Sequence, residues 1–289
     1  MNLYLSAPYS NWMKNGMDIY LAGPSSGNMS PLWRKHSGTN KAMEIFLAGT
    51  YGDLKRAGSA GDFAQRISVL ESFFYVKEWM DPYIRDHWQF MLDSGAFTFM
   101  QNPKGSIDWE TYVDRYADYI NARGINLFFE LDIDAVVGIE RVEALRRRLE
   151  QRTGKQPIPV WHHGRGRAYW GAMCKEYPYV ALGGMVSDVA YRKRLEPMFP
   201  YFINSAREAG AKIHGLGYTS IAGLHRYKFD SVDSTSWLHG NKGGVLYRFN
   251  GRGIDKIAAP EGKGLKSMEG AVNNFREWVK FQHYAREHL

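Results

Sequence analysis

The chain has 289 residues, 44% apolar and 15% aromatic, enough for a full core, and carries no low-complexity tract or long run of like charge that would mark disorder. Its one cysteine, Cys174, excludes an internal disulfide framework and any multi-cysteine zinc site, and suits a reducing cytoplasm. A net charge of +7 leans toward a polyanionic partner, with solubility as the plain alternative; no apolar window reaches the roughly 18 residues of a membrane span, and no basic-then-apolar signal pattern opens the chain.

Residues 1–42 carry a loose repeat. MNLYLSAP, MDIYLAGP and MEIFLAGT begin at residues 1, 17 and 43, each a short strand followed by a small-residue turn. The third copy opens the main fold. The first two read as a strand-rich N-terminal extension, an edge hairpin or a barrel plug. From there strands are predicted at 44–48, 89–93, 125–131, 157–161, 179–183, 212–216, 228–232 and 244–249. Helical patterns lie between them. Residues 63–80 carry apolar positions at Phe63, Ile67, Leu70, Phe74 and Val76. Residues 108–124 start on Asp108 as N-cap and stop at Gly124, and 138–154 end on Gly154 in the same way. Residues 188–210 are interrupted by Pro197 and Pro200, and 264–287 form an amphipathic closing helix. Eight strands, mostly followed by helices, predict an α/β fold: a (β/α)8 TIM-type barrel over 43–289, with no linker inside it. No G-x-G-x-x-G follows the first strand, which weighs against dinucleotide binding.

Three stretches mix cations with aromatics: GRGRAYW (164–170), AYRKRLE (190–196) and GLHRYKF (223–229). Phosphate contact combined with base stacking uses that mixture. LRRRLE (145–150) reads instead as a solvated helix face.

In a parallel barrel the chemistry sits at the carboxyl ends of the strands. Those ends carry Asp93, then Asp132 and Asp134, His162 and His163, Gly183 and Gly184, His214 and Gly215, and Asp230 and Asp233. Each alone is explained by turn chemistry; in FMLDSGAFTF (90–99), Asp93 would accept backbone N–H groups while Gly95 takes a positive φ. The set of six ends argues for a site. Alternation lets Asp132 and Asp134 face inward together, allows only one of His162 and His163, and separates Asp230 from Asp233. If Asp230 is in the strand, Asp233 falls on the loop beyond. Paired carboxylates suit chemistry at a sugar carbon, one attacking C1′ and one handling protons on the leaving group. A rival is a metal-dependent hydrolase using His163, His214 and Asp230, although no H-x-H or H-E-x-x-H spacing is present.

Several segments, in order, resemble the tRNA-guanine transglycosylase superfamily. IFLAGTYGDLK (45–55) resembles its first barrel strand, LDSGAF (92–97) its L-D-S-G-G-[FY] signature, and ALGGMV (181–186) its glycine-rich strand end. HGLGYTS (214–220) is similar to M-G-[VL]-G-[TY], and FDSVDST (229–235) to the segment bearing the nucleophile. The resemblance implies exchange of guanine for a 7-deazaguanine at an N-glycosidic bond, without a cofactor. By position it implies Asp230 as nucleophile, Asp93 as general acid/base, Asp132 reading the base edge and Gly183 and Gly184 reading its carbonyl. It places Phe97 and His214 about the base plane and His163 at a base-binding position. The family's C-x-C-x-x-C…H zinc site cannot form with one cysteine, and Ser234 and Ser236 flank Thr235 where the tRNA enzymes carry proline and arginine. These departures resemble the phage and bacterial branch acting on DNA, with tRNA the less favoured substrate and a free base such as 7-cyano-7-deazaguanine as the second reactant.

Overall fold

The computed structural model describes residues 42–49, 67–87, 89–96, 107–185, 189–238, 245–257 and 267–289. The repeat before residue 42 and the expected base platform Phe97 lie outside the described residues. Eight strands form one parallel sheet: β1 (Glu44–Ala48), β2 (Ser68–Ser72), β3 (Gln89–Asp93), β4 (Leu127–Phe128), β5 (Val160–Trp161), β6 (Tyr179–Leu182), β7 (Lys212–Gly215) and β8 (Ser231–Ser234). Their order is β4-β3-β2-β1-β8-β7-β6-β5. Helices alternate with them: α1 (Trp109–Arg123), α2 (Asp134–Val137), α3 (Ile139–Thr153), α4 (Gly166–Glu176), α5 (Val189–Leu195), α6 (Phe199–Glu208) and α7 (Ile221–Arg226), before the closing α8 (Ser267–His288). No helix among the described residues is long and apolar enough to cross a membrane.

The sheet curls as in a TIM-like fold, but its ladder is open between β4 and β5, where a closed cylinder was expected. Those edges meet at one isolated parallel bridge, Phe129 with Ile158. At this seam the Val160 N–H, which would carry the ladder on, is taken by the Glu130 carboxylate at 2.9 Å.

Two strands were misread, and burial explains both. Residues 68–72 were expected inside a helix over 63–80, yet they form β2. Ser68, Val69, Leu70 and Glu71 are all buried, so neither face of the strand alternates with solvent and the apolar spacing imitates a helix. Residues 244–249 were counted as a barrel strand, but among the described residues β9 (Leu246–Phe249) pairs only with the antiparallel β10 (Ile254–Ile257). This hairpin packs on α8, where Asn274 accepts from the Tyr247 N–H and donates to the Val245 carbonyl, both at 2.8 Å. The predicted 188–210 helix divides into α5 and α6 around a short 3-10 turn at Glu196–Met198, which contains Pro197. By contrast, α1 starts and stops as read: Asp108 accepts from the Thr111 N–H at 3.1 Å, and Gly124 is left-handed at φ 64°.

Alternation sorts side chains into an inner and an outer core. Phe46, Leu70, Met91, Phe129, Val160 and Ala181 fill the interior. The opposite faces of the strands pack on the helices. At the amino end, β1 and β2 splay, and Gln282 of α8 fills the gap. Its amide donates to the Ile45 and Ser68 carbonyls at 2.5 and 2.7 Å and accepts from the Ser68 N–H at 3.0 Å.

Candidate active site

One step toward the carboxyl end from the apolar interior layer, the same parity brings Ser72, Asp93, His162, Gly183 and Asp233 inward. Asp93 ends β3. Its Oδ2 accepts from the Gly95 N–H at 2.9 Å, and Gly95 has φ 71°. A Cβ at Gly95 would lie 2.6 Å from Ser72 Oγ and 2.8 Å from Phe74 Cβ, so only glycine lets this turn close against β2. The Asx turn and the candidate acid are therefore the same feature. Burial pushes the Asp93 carboxyl up to about 6; the Gly95 N–H and the Ser72 hydroxyl oppose this, while the Asp132 and Asp233 charges add to it. Helix α1 braces the strand behind it. Tyr116 donates to the Leu92 and Phe129 carbonyls at 3.0 and 3.2 Å, and Tyr112 donates to the Ser94 carbonyl at 2.5 Å.

Asp233 lies in β8, and Asp230 precedes the strand. The strand was expected over 228–232, but Phe229 and the neighbouring Tyr227 close an aromatic cluster with Phe199 outside the sheet, at centroid distances of 5.1 Å each. The shift carries Asp230 to the amino end, where its carboxylate accepts from the Ile213 N–H at 2.9 Å. Burial raises its carboxyl, opposed by that N–H and by Arg207 and Lys212. Asp230 thus stands away from the inward carboxylates of the opposite end. Asp233 is held by the Gly217 N–H at 2.5 Å and by His214 Nε2 at 3.1 Å, both on Oδ1. Among the described residues its Oδ2 takes no hydrogen bond. A carboxylate only accepts, so His214 Nε2 carries the proton and Nδ1 accepts from the Ser231 hydroxyl at 2.5 Å. Tyr179 bonds the same hydroxyl from below.

His214 is therefore a buried support for Asp233. Fully enclosed and edge-on to Phe129 at 5.4 Å, it has no face to offer a base, contrary to the expected stacking role. The two neighbouring histidines also divide differently from expectation. His162 points inward and its Nε2 meets Asp132 Oδ1 at 2.6 Å, whereas His163 is exposed beside Tyr191. Burial lowers the His162 pKa, but the Asp132 charge and hydrogen bond outweigh it and leave the net shift upward. Gly183 makes room for this ring: a Cβ there would sit 2.6 Å from His162 Cε1. Gly184 next to it has φ 81° and is half-buried.

Behind Asp132 runs a buried ionic ribbon that the sequence did not announce. Glu130, fully enclosed, meets Arg146 at 2.9 Å and Arg165 at 2.7 Å. Arg165 reaches on to Asp134 at 3.3 Å and stands 3.8 Å from Asp132. Arg165 was expected to contact phosphate, and Arg146 to lie on a solvated helix face; each side chain is 3% exposed or less. The signal was Glu130 itself, an acid in the apolar run FFEL. Its outward parity requires a cation from the covering helices.

Asp132, Asp134 and His162 have ligand atoms within 4.8 Å of one another, a spacing a metal ion could use. Arg165 already supplies positive charge to both carboxylates. The metal set expected from sequence does not gather: His163 is exposed, His214 lies under the mouth, and Asp230 is at the amino end. No family model matches the chain, and searches of curated proteins and of solved structures return no match. Fold and site together define a TIM-like α/β protein whose carboxyl-end mouth is lined by Asp93, Asp132 and Asp233.

Proposed function

We propose that the protein is a base-exchange transglycosylase replacing guanine in DNA with a 7-deazaguanine derivative. The observation that carries this reading is the grouping of Asp93, raised to about 6, with the charges of Asp132 and Asp233 at one mouth. A carboxyl raised to that range donates or accepts a proton near neutral pH. Asp233, rather than Asp230, takes the role of nucleophile: its Oδ2 attacks C1′, the C1′–N9 bond breaks with its electron pair going to the purine, and protonated Asp93 supplies the proton to the departing base. The incoming base then gives its N9 proton to Asp93 and attacks C1′, expelling Asp233. Two displacements retain the β configuration. Asp132 suits the N1–H and N2–H2 donors of guanine, and a backbone N–H near Gly184 suits O6. The base reaches such a mouth only after leaving its stack, and water must be kept from the glycosyl-enzyme.

DNA is preferred to tRNA because this chain lacks the cysteine site and the proline–arginine pair of the tRNA enzymes it resembles. A second reading, metal-dependent hydrolysis, has moved to Asp132, Asp134 and His162, the trio with ligand spacing; stoichiometric metal in purified protein, lost together with activity, would favour it. The deciding experiment incubates duplex DNA with radiolabelled guanine. Label entering the polymer is the expected result. Label entering only a tRNA pool moves the substrate to RNA, and label in neither ends the proposal.

A further inference from the structure

Resting on that reading, we propose that the phosphodiester backbone of the nucleic acid docks on the rim formed by the start of α4, by α5 and by the first turn of α6. The rim belongs to the same end of the sheet as the mouth, because these helices follow the carboxyl ends of β5 and β6. His163, leading into α4, meets Tyr191 of α5 with ring centroids 5.9 Å apart. Tyr191 in turn lies against the glycine turn of the mouth: a Cβ at Gly184 would be 3.0 Å from its Cε1. The rim is thus continuous with the inward residues.

Charge distinguishes this rim from the equally arginine-rich α3. On α3, Arg141, Arg147, Arg148 and Arg152 each have an acidic partner. On the rim, Arg167, Arg192, Lys193 and Arg194 have none among the described residues, and all but the half-buried Arg192 are exposed. Pairing satisfies α3 internally; the rim leaves positive charge for something outside the chain. Aromatic surface accompanies it. Arg167 lies 5.4 Å over the Tyr201 ring, and Tyr201 at 44% is, with Val136 at 58%, one of the two exposed large apolar side chains among the described residues. Uncompensated cations beside an exposed ring suit phosphates and an unstacked base, whereas an acidic protein face would need only the charge. GLHRYKF, the third stretch of this composition, runs from α7 to the amino end of β8 and is not on this rim.

The test is fluorescence anisotropy of a labelled oligonucleotide, single-stranded and duplex in separate arms, across a salt series. Against wild type are set R192Q/K193Q/R194Q, Arg167→Gln with Tyr201→Ala, and the control Arg148→Gln on α3. The expected result is binding with a steep salt slope that falls by about 2 in the triple variant, at roughly 0.7–0.9 for each phosphate no longer neutralised. The double variant loses about tenfold in single-strand affinity, and the control keeps the wild-type slope. No binding by wild type, an unchanged slope in the triple variant, or an equal fall in the control overturns the proposal. The assay needs no chemistry. Rim-dependent binding without base exchange leaves the docking surface standing and removes the exchange reading; exchange with rim variants that bind as wild type does the reverse.

Discussion

Replacing Asp93 with asparagine should stabilise the folded chain at neutral pH while removing its function. The carboxyl rises from the ordinary 3.8 to about 6 because folding buries it and faces it with Asp132 and Asp233. A tenfold change in proton affinity corresponds to about 1.4 kcal/mol, so a tightening of roughly a hundredfold sets a ceiling of about 3 kcal/mol on what ionised Asp93 takes from stability. The sign follows from proton binding. The folded chain holds this proton more tightly, so the stabilisation is complete below about pH 3.8, is lost as pH rises through about 6, and is then gone. Asparagine is neutral throughout and nearly isosteric, and escapes that loss. Urea unfolding of both proteins from pH 4 to 8 should give near-equal free energies at pH 4. A gap favouring Asp93→Asn should open to as much as about 3 kcal/mol by pH 7, corresponding to roughly 6–12 °C in melting temperature. Curves that run parallel from pH 4 to 8 would refute the reasoning, since an ordinary surface aspartate would give that result.

Gln282→Leu leaves the Ile45 and Ser68 carbonyls and the Ser68 N–H without their partner; at about 1–3 kcal/mol for each buried group, urea unfolding should show a loss of about 3 kcal/mol or more. Arg165→Met takes from Glu130 one of its two buried cations and should destabilise by about 3 kcal/mol, much of it recovered when Glu130 and Arg146 are also made apolar, as measured by the same titration. His162→Gln removes the Asp132 pairing that outweighs burial and raises the histidine pKa. Its stability deficit should be fullest below about pH 6.5 and shrink as pH rises through the folded value. Guanine release in a single turnover should slow as pH rises above the Asp93 value of about 6 and be absent from Asp93→Asn at every pH from 4 to 8.

The parts of this molecule legible in the sequence are those whose signals are local. Asp108 and Gly124 bound α1 because capping is decided within a turn of chain, and Asp93 at the end of β3 was visible as an acid terminating an apolar run. What failed depended on both faces of an element. β2 is buried on both sides, so Leu70 and its neighbours display no strand period. The total of eight strands was reached only because β9 was counted in its place. β8 failed through its aromatics: Tyr227 and Phe229 pack against Phe199 outside the sheet, and this moved the strand past Asp230 to include Asp233. Charge was misread for the same reason. Arg146, Arg147 and Arg148 are adjacent in sequence, but only Arg146 faces Glu130, and a run of like residues does not say which one turns inward.

The most direct measurement compares Asp233→Asn with Asp230→Asn in single-turnover release of guanine from DNA, with trapping of the protein–DNA adduct. Release and adduct should both disappear in Asp233→Asn, while Asp230→Asn, altered at the far end of the sheet, retains them. Full release by Asp233→Asn, or loss confined to Asp230→Asn, would contradict the account.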